Sequence, residues 1–537
     1  MTIGTPPRLR RQTAGGAQAA GDAPAPPDEV GPASSDAPMT ALTHRQILIV
    51  FSGLMLGMFL AALDQTIVAT ALPTIVNSLH GLNHISWVVT AYLLTSTIST
   101  PLYGKLSDQF GRKGLFQLAI VIFLAGSVLS GLSQSMAELI AFRGIQGIGA
   151  GGLMALAMTI IADVVSPRDR GRYQGYFGAT FALSSVAGPL LGGLFTDNLS
   201  WRWIFYINVP IGIAALVVTS LVLKLPFRRR SHRVDYLGAF LLLIGVTAAL
   251  LVTVWGGTQY AWASPTIIGL ALVALVFVAG FAVWERHASE PILPPSLFRI
   301  GIFRVASSVS FLLAMVMFGS IIYIPLYLQL VDGLSATVSG LLLIPLMLGL
   351  LVASIVSGQL VTRTGRYKPF PIIGSALAIV GMFLLSQLSI GTSHLTMALY
   401  MVVLGAGMGM TMQIMVLVTQ NAVPTTQIGT GTAAITFFRS LGGAFGTSLF
   451  GAVFIAGLAH WIPRLVPGAA ASSIHVNGSF SMSTAQLHAL PPAVQHGILE
   501  SFVRSLHSMF LLGVPLAVLM FALTLFLKQV RLRTSSG

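Results

Sequence analysis

Runs of roughly twenty uncharged, mostly apolar residues recur along this chain, and about that length is what an α-helix needs to cross the hydrocarbon core of a bilayer. Backbone amides find no water in lipid, so a segment of this kind must satisfy its hydrogen bonds internally, as a helix does. About fourteen such runs can be marked: 46–72, 85–104, 114–133, 138–163, 172–195, 203–225, 236–256, 265–284, 303–330, 338–361, 369–389, 395–418, 430–458 and 508–528. Only 8% of the 537 residues are charged, against about a quarter in soluble domains, so the expected fold is an all-α integral membrane protein.

The formal charge of +14 would suggest a nucleic-acid partner in a soluble protein, but the placement of the charges argues for lipid instead. With the N-terminus inside, the cytoplasmic segments hold 24 of the 29 basic residues. Arg202, Arg464 and Arg504 fall outside, and Arg143 and Arg439 lie within spans. This asymmetry predicts a multi-pass protein of the cell membrane with both termini cytoplasmic and no nucleic-acid partner. Residues 1–43, rich in Pro, Ala, Gly and Ser, read as a disordered cytoplasmic tail. A secretory signal would place an apolar core directly after the Arg8–Arg11 cluster, and none begins before Ile47. The absence of cysteine excludes disulfides, thiolate catalysis and cysteine-ligated metal. The eleven histidines all fall in tails, connections or span ends, so no metal cluster is expected.

A short charged stretch between the second and third runs, Gly104-Lys105-Leu106-Ser107-Asp108-Gln109-Phe110-Gly111-Arg112-Lys113-Gly114, recurs in part. Gly358, Gly365 and Arg366 repeat Gly104, Gly111 and Arg112 at an offset of 254 residues, and Gly442 and Gly446 repeat Gly188 and Gly192 at the same offset. One offset shared by two motifs points to duplication, the way many secondary transporters are built. The expected organisation is a six-helix bundle over 44–225, two inserted helices and their connections over 226–300, and a second six-helix bundle over 301–528 with an external loop at 460–507, before a cytoplasmic tail at 529–537. Within that loop, Leu487, Leu490, Val494, Ile498 and Phe502 have the spacing of a helix lying at the membrane interface; a substrate-capturing lid is the competing reading.

Asp64 is the only carboxylate deep inside any span, and a charge there is costly unless paired, neutralised or wetted. At about 1.5 Å per residue it lies roughly 27 Å from the inner end of its span, and Arg143 lies roughly 30 Å from the inner end of the fourth. The two are expected to pair, either as a switchable proton-coupling element or as a permanent ion pair that fixes packing. Asp108, Arg112 and Asp163 fall at the inner ends of the second, third and fourth spans, where an Arg112–Asp163 contact would latch that side shut and Gly104 and Gly111 would permit close helix approach. Gly188-Pro189-Leu190-Leu191-Gly192-Gly193 would kink the fifth span and remove side-chain bulk. Gln146, Met408, Met412, Gln413 and Arg439 are candidates for lining a substrate cavity; core packing for the methionines and a structural role for Arg439 are the competing readings.

Taken together these motifs resemble the major facilitator superfamily, and within it the fourteen-span drug:proton antiporter branch of EmrB/QacA type. Leu63-Asp64-Gln65-Thr66-Ile67-Val68-Ala69-Thr70-Ala71-Leu72-Pro73 resembles the first-span signature of that branch, and Gly104–Lys113 the gating motif of the superfamily. Arg143-Gly144-Ile145-Gln146-Gly147 is similar to the fourth-span proton-transfer motif, Gly188–Gly193 to the antiporter motif, and Trp201–Gly212 to a stretch typical of the branch. The resemblance implies export of small lipophilic compounds by alternating access, driven by a proton gradient with no cofactor and with a monomer sufficient for transport. It departs from the pattern in two places: the tenth span carries no acidic residue, and Thr362 stands in the repeated hinge where the first copy has Asp108. A dedicated exporter of one metabolite, lipid or siderophore and a facilitative uptake carrier are the competing functions. The chain argues against an ATP-driven pump, since it carries no phosphate-binding loop and no soluble domain to hold one, and no enzymatic activity is expected.

Overall fold

A computed structural model of the chain describes residues 44–79, 85–165, 170–223, 235–257, 259–334, 336–466, 490–530 and 532. The expected N-terminal tail and most of the tail after 528 lie outside the described residues. Among the described residues there are fourteen helices of fifteen residues or more and no named strand. In the first part of the chain these are α1 (His44–Leu79), α2 (Ile85–Phe110), α3 (Arg112–Leu132), α4 (Met136–Val164), α5 (Arg170–Asn198) and α6 (Asn208–Val222). Then come α7 (Tyr236–Trp255) and α8 (Pro265–Trp284), followed by α9 (Gly301–Leu330), α10 (Ile344–Thr364), α11 (Pro369–Leu385), α12 (His394–Ala422), α13 (Ile428–Leu465) and α14 (Pro492–Leu525).

Twelve helical segments among the described residues are long and apolar enough to cross a membrane, which makes this a multi-pass membrane protein. Two expected spans fall outside that set for different reasons. Pro369–Leu385 is apolar but only 17 residues long. Helix α2 is long enough at 26 residues but carries Thr90, Ser96, Thr97, Ser99, Thr100, Ser107, Asp108 and Lys105. Several of its hydroxyls are satisfied within the helix, as when Thr100 donates to the Ser96 carbonyl at 2.8 Å. A helix of this kind is tolerated where its polar face meets protein, and α2 lies along α4 and α13.

Helix α1 packs on α5 and α6, and α4 takes α2 on one side and α3 on the other. In the later part of the chain α9 packs on α13, α12 receives α10 and α11, and α14 lies against α11 and α13. The two sets meet mainly through α5 on α10 and α2 on α13. Helices α7 and α8 pack chiefly on each other, and Leu272, Leu275 and Val276 of α8 are exposed, as lipid-facing side chains are in a membrane helix.

Close packing follows from missing side chains. A Cβ on Gly147 of α4 would collide with Tyr92 and Thr95 of α2, and one on Gly149 with Phe123 of α3. Without a hydrophobic force between helices in lipid, such small-residue contacts are what hold neighbours together. Both copies of the hinge also end at a glycine in the left-handed region, Gly111 at φ 94° and Gly365 at φ 69°, which other residues adopt only with strain.

The structure corrects the loop expected at 460–507. Helix α13 continues to Leu465, and Val494, Ile498 and Phe502 belong to α14, the helix of the last expected span, rather than to a separate interfacial helix. All three are buried, and the Phe502 ring meets Phe454 of α13 with centroids 5.0 Å apart. Burying that apolar stripe against α13 inside the protein competes with laying it on the lipid surface, and here packing wins. Leu487 lies outside the described residues.

Candidate functional site

Asp64 sits about twenty residues into α1 and is fully buried. Its carboxylate accepts from Arg143 Nη1 at 2.5 Å, Gln146 Nε2 at 2.8 Å and Asn208 Nδ2 at 3.3 Å. The spacing of the donors explains the assembly: Arg143 and Gln146 stand three residues apart on α4 and therefore on one face, while Asn208 opens α6. Arg143 Nη1 also donates to Gln146 Oε1 at 2.8 Å and its Nε to the Val88 carbonyl at 3.3 Å. Its guanidinium lies 4.2 Å from the centroid of the Tyr92 ring. Asn208 in turn donates to Ser127 Oγ at 3.0 Å, which donates to the Phe205 carbonyl at 2.8 Å.

Arg143 is 1% exposed and Gln146 and Asn208 are 0% exposed, so water is excluded from the cluster in this conformation. A buried ion pair gives little net stability, because desolvating both charges offsets their attraction. It survives here because the carboxylate has three donors on two helices besides its own. The Asp64–Arg143 contact expected from depth is therefore present, and Gln146, expected as a cavity residue, belongs to the same network. Nothing in the sequence marks Tyr92 or Ser127; Asn208 falls inside the Trp201–Gly212 stretch, where it is a lone Asn at the head of an apolar run.

The Gly188–Gly193 stretch of α5 packs on α1 two residues along from Asp64. Gly188 is buried against α1, where a Cβ would overlap Thr66, and the Thr66 hydroxyl donates to the Ser184 carbonyl at 2.9 Å. Gly192 is buried and Gly193 half-buried. Helix α5 runs without a break through Gly188-Pro189, and the Pro189 side chain lies outside the described residues.

At the hinge end, Arg112 joins Asp163 at 2.6 Å and Asp108 at 3.0 Å, and donates to the Thr159 carbonyl at 3.0 Å. The other Asp108 oxygen accepts from both the backbone N–H and the hydroxyl of Thr430, at 3.1 and 3.0 Å. Thr430 is the third residue of α13, so Asp108 places negative charge on free amides at that helix's N-terminus, where the helix dipole favours it. Gly104 packs directly on Ala433 and the Gly429 backbone, and Gln420 Nε2 donates to the Met158 carbonyl at 3.2 Å. The hinge is thus joined both to its neighbours α3 and α4 and, through Asp108, to α13. Lys105 leaves the cluster and pairs with Glu290 at 2.6 Å.

Met408, Met412 and Gln413 are buried on α12. They lie apart in sequence and helix from the Asp64 cluster, which α1, α2, α4 and α6 assemble. An open hollow of about 470 Å3 is lined by Arg366, Lys368, Pro369, Ile372, Ile373 and Gln529 at the turn between α10 and α11. None of the candidate cavity residues lines it.

Residues 54–447 match the family model described as Major Facilitator Superfamily. An uncharacterised MFS-type transporter of Mycobacterium tuberculosis is 45% identical over 485 residues, covering 90% of this chain and 70% of that protein. The multidrug transporter protein MdtP of Bacillus subtilis is 37% identical over 506 residues, covering 90% of this chain and 93% of that protein. Multidrug resistance protein 3 of the same organism is 35% identical, covering 91% and 96%. Among solved structures, the proton:xylose symporter XylE superposes with a TM-score of 0.60 at 16% identity, covering 92% of this chain and 98% of that one.

Proposed function

This chain belongs to the major facilitator superfamily, and from that premise we propose that it is a proton-coupled antiporter exporting small lipophilic compounds across the cell membrane. The observation that carries the reading is the fully buried Asp64 with Arg143 against it. An ionised acid stripped of water must keep its guanidinium partner or take up a proton, and this gives the site two states of different charge. In the proposed cycle, a proton from outside neutralises Asp64, Arg143 is released to its other acceptors, and cargo leaves outward. Return of the proton to the inside resets the pair. The names of the similar multidrug transporters support small-molecule export.

The remaining parts of the reading follow from the sequence. Fourteen spans with both termini cytoplasmic would place the Arg112 cluster on the inner face, where Asp108 and Thr430 hold α2 to α13. Alternating access would then rock residues 44–225 against 301–528 with α7 and α8 riding between them, a single chain being sufficient for transport, within the drug:proton branch of the superfamily. The proton gradient supplies the energy and no cofactor takes part.

Dye efflux from energised vesicles tests this, with and without a proton gradient. Wild type should extrude a lipophilic dye only when the gradient is present, and Asp64→Asn should lose that dependence. Gradient-independent flux in wild type would overturn coupling in favour of a facilitative carrier, and movement of one self-made metabolite with no dye transported would favour a dedicated exporter.

A further inference from the structure

Two polar side chains in the second half carry buried hydrogen-bonding atoms with no partner among the described residues: Gln413, through both Nε2 and Oε1, and the half-buried Arg439, through Nη1. Gln413 is only 4% exposed. An unmade hydrogen bond in a protein interior costs about 1–3 kcal/mol, and an unpaired buried charge costs more. Two such groups on adjacent helices call for an explanation.

Their register gives one. Helices α12 and α13 are antiparallel neighbours joined by a short turn, and Gln420 Nε2 donates across to Thr432 Oγ1 at 3.2 Å. Seven residues along a helix is two turns, about 10 Å, and returns to nearly the same face. Seven residues back from Gln420 is Gln413, and seven forward from Thr432 is Arg439. Both steps lead away from the hinge end, so the unpartnered amide and the guanidinium stand at one level of the hairpin, two turns beyond that bond. Gln413 lies about nine residues before Ala422, the last residue of α12, and Arg439 about eleven after Ile428, the first of α13, which places both roughly 14–17 Å from the hinge end. That is about half the thickness of the hydrocarbon core, the depth at which transporters of this architecture bind cargo.

The described residues offer Arg439 no counter-charge. Between residues 301 and 465 the only acid is Asp332, which pairs with His394 beyond the end of α9, and Glu500 on α14 pairs with Arg504. Asp64, Asp108 and Asp163 are all engaged in the first half. Met412 beside Gln413 contributes an adaptable apolar surface to the same helix.

We propose that Gln413 and Arg439 form a subsite for the anionic head of the cargo, a carboxylate carried on an otherwise lipophilic molecule. The guanidinium supplies charge and paired donors to the carboxylate, and the Gln413 amide supplies one more N–H. This rests on the transporter reading and narrows its substrate class to lipophilic acids and zwitterions. It also divides the labour between halves: the proton is exchanged at Asp64, and the cargo's acidic group is held at Arg439.

The test is equilibrium binding by fluorescence anisotropy, with the full-length protein in phosphatidylcholine nanodiscs, of a xanthene dye bearing a free carboxylate and of its ethyl ester. Arg439→Gln should weaken binding of the acid about tenfold or more and leave the ester within about twofold, a difference of about 1.4 kcal/mol or more between the two probes. Gln413→Leu should act in the same direction with smaller effect, and Arg439→Lys should retain part of the preference, which keeps the test decisive should Arg439→Gln fail to fold. Equal losses for acid and ester, an unchanged acid affinity, or no binding of the acid by wild type would each overturn the subsite. Binding needs no gradient, so selective binding of the acid together with gradient-independent transport would remove the coupling reading and leave this one standing.

Discussion

A buried ion pair can be a packing device or a working part, and the difference lies in what happens when both charges are removed together. Gln146 accepts from Arg143 and donates to Asp64, and Asn208 donates to Asp64 as well, so the pair is embedded in a network rather than isolated. Arg143→Leu alone should leave an uncompensated carboxylate and lower stability by about 3–5 kcal/mol, read as a drop in melting temperature of the purified protein. The double variant Asp64→Leu/Arg143→Leu should recover most of that loss, since similar volume replaces both charges, yet show no gradient-driven efflux. Efflux by the double variant at a rate near wild type would reduce the pair to packing.

At the scale of the element, the connection after α8 is held by a single carboxylate. Glu285 follows directly on that helix and accepts from the backbone N–H groups of Ile292 at 3.1 Å and Leu293 at 3.2 Å, folding Glu285–Pro294 back on itself. Burial pushes its pKa up to about 7 from an ordinary 4.5; the two N–H groups act against that, Asp235 adds to it and Lys105 opposes it. A raised carboxyl pKa means that the folded protein binds the proton more tightly than the unfolded chain between those values. Its contribution to stability is therefore fully present below about pH 4.5 and is lost as pH rises through about 7. Melting temperatures measured from pH 4.5 to 8 should fall across that window in wild type and fall less in Glu285→Gln. Identical slopes would show that Glu285 does not govern the connection. The same connection reaches the hinge through the Lys105–Glu290 pair, so the inserted helices are tied to α2 as well as to each other.

For the molecule as a whole, the contacts at the hinge end decide which conformation is seen. Asp108 grips the first turn of α13, Gly104 lies on Ala433, and Gln420 reaches the Met158 carbonyl, all across the two halves. Asp108→Ala removes both bonds to Thr430 and one to Arg112, whereas Thr430→Val removes only the hydroxyl and keeps the backbone N–H. The first should therefore open the hinge end more than the second, which should cost about 1 kcal/mol. Because the chain contains no cysteine, spin labels can be placed at Phe110→Cys and Thr426→Cys, both exposed, without altering the native background. Double electron–electron resonance should show a longer-distance population growing from wild type to Thr430→Val to Asp108→Ala. A distribution that does not change in either variant would mean that these bonds do not hold the halves together.

What the sequence determined by itself is the set of helices and the charged residues that pair within them, Asp64 with Arg143 and Arg112 with Asp163. Crossing a membrane is decided by transfer of about twenty consecutive residues into hydrocarbon, a property local to the chain, so helices such as α3, α8 and α9 fall close to their expected limits. The 254-residue repeat was legible for the same reason, since both hinge copies need a glycine at the same left-handed position. The partners were not legible. Asp108 and Thr430 are 322 residues apart and Asp64 and Asn208 are 144 apart, and nothing in either neighbourhood names the other. Those pairings, and the merging of Val494–Phe502 into α14, depend on which glycine surfaces let helices approach, and only the packed tertiary structure decides that.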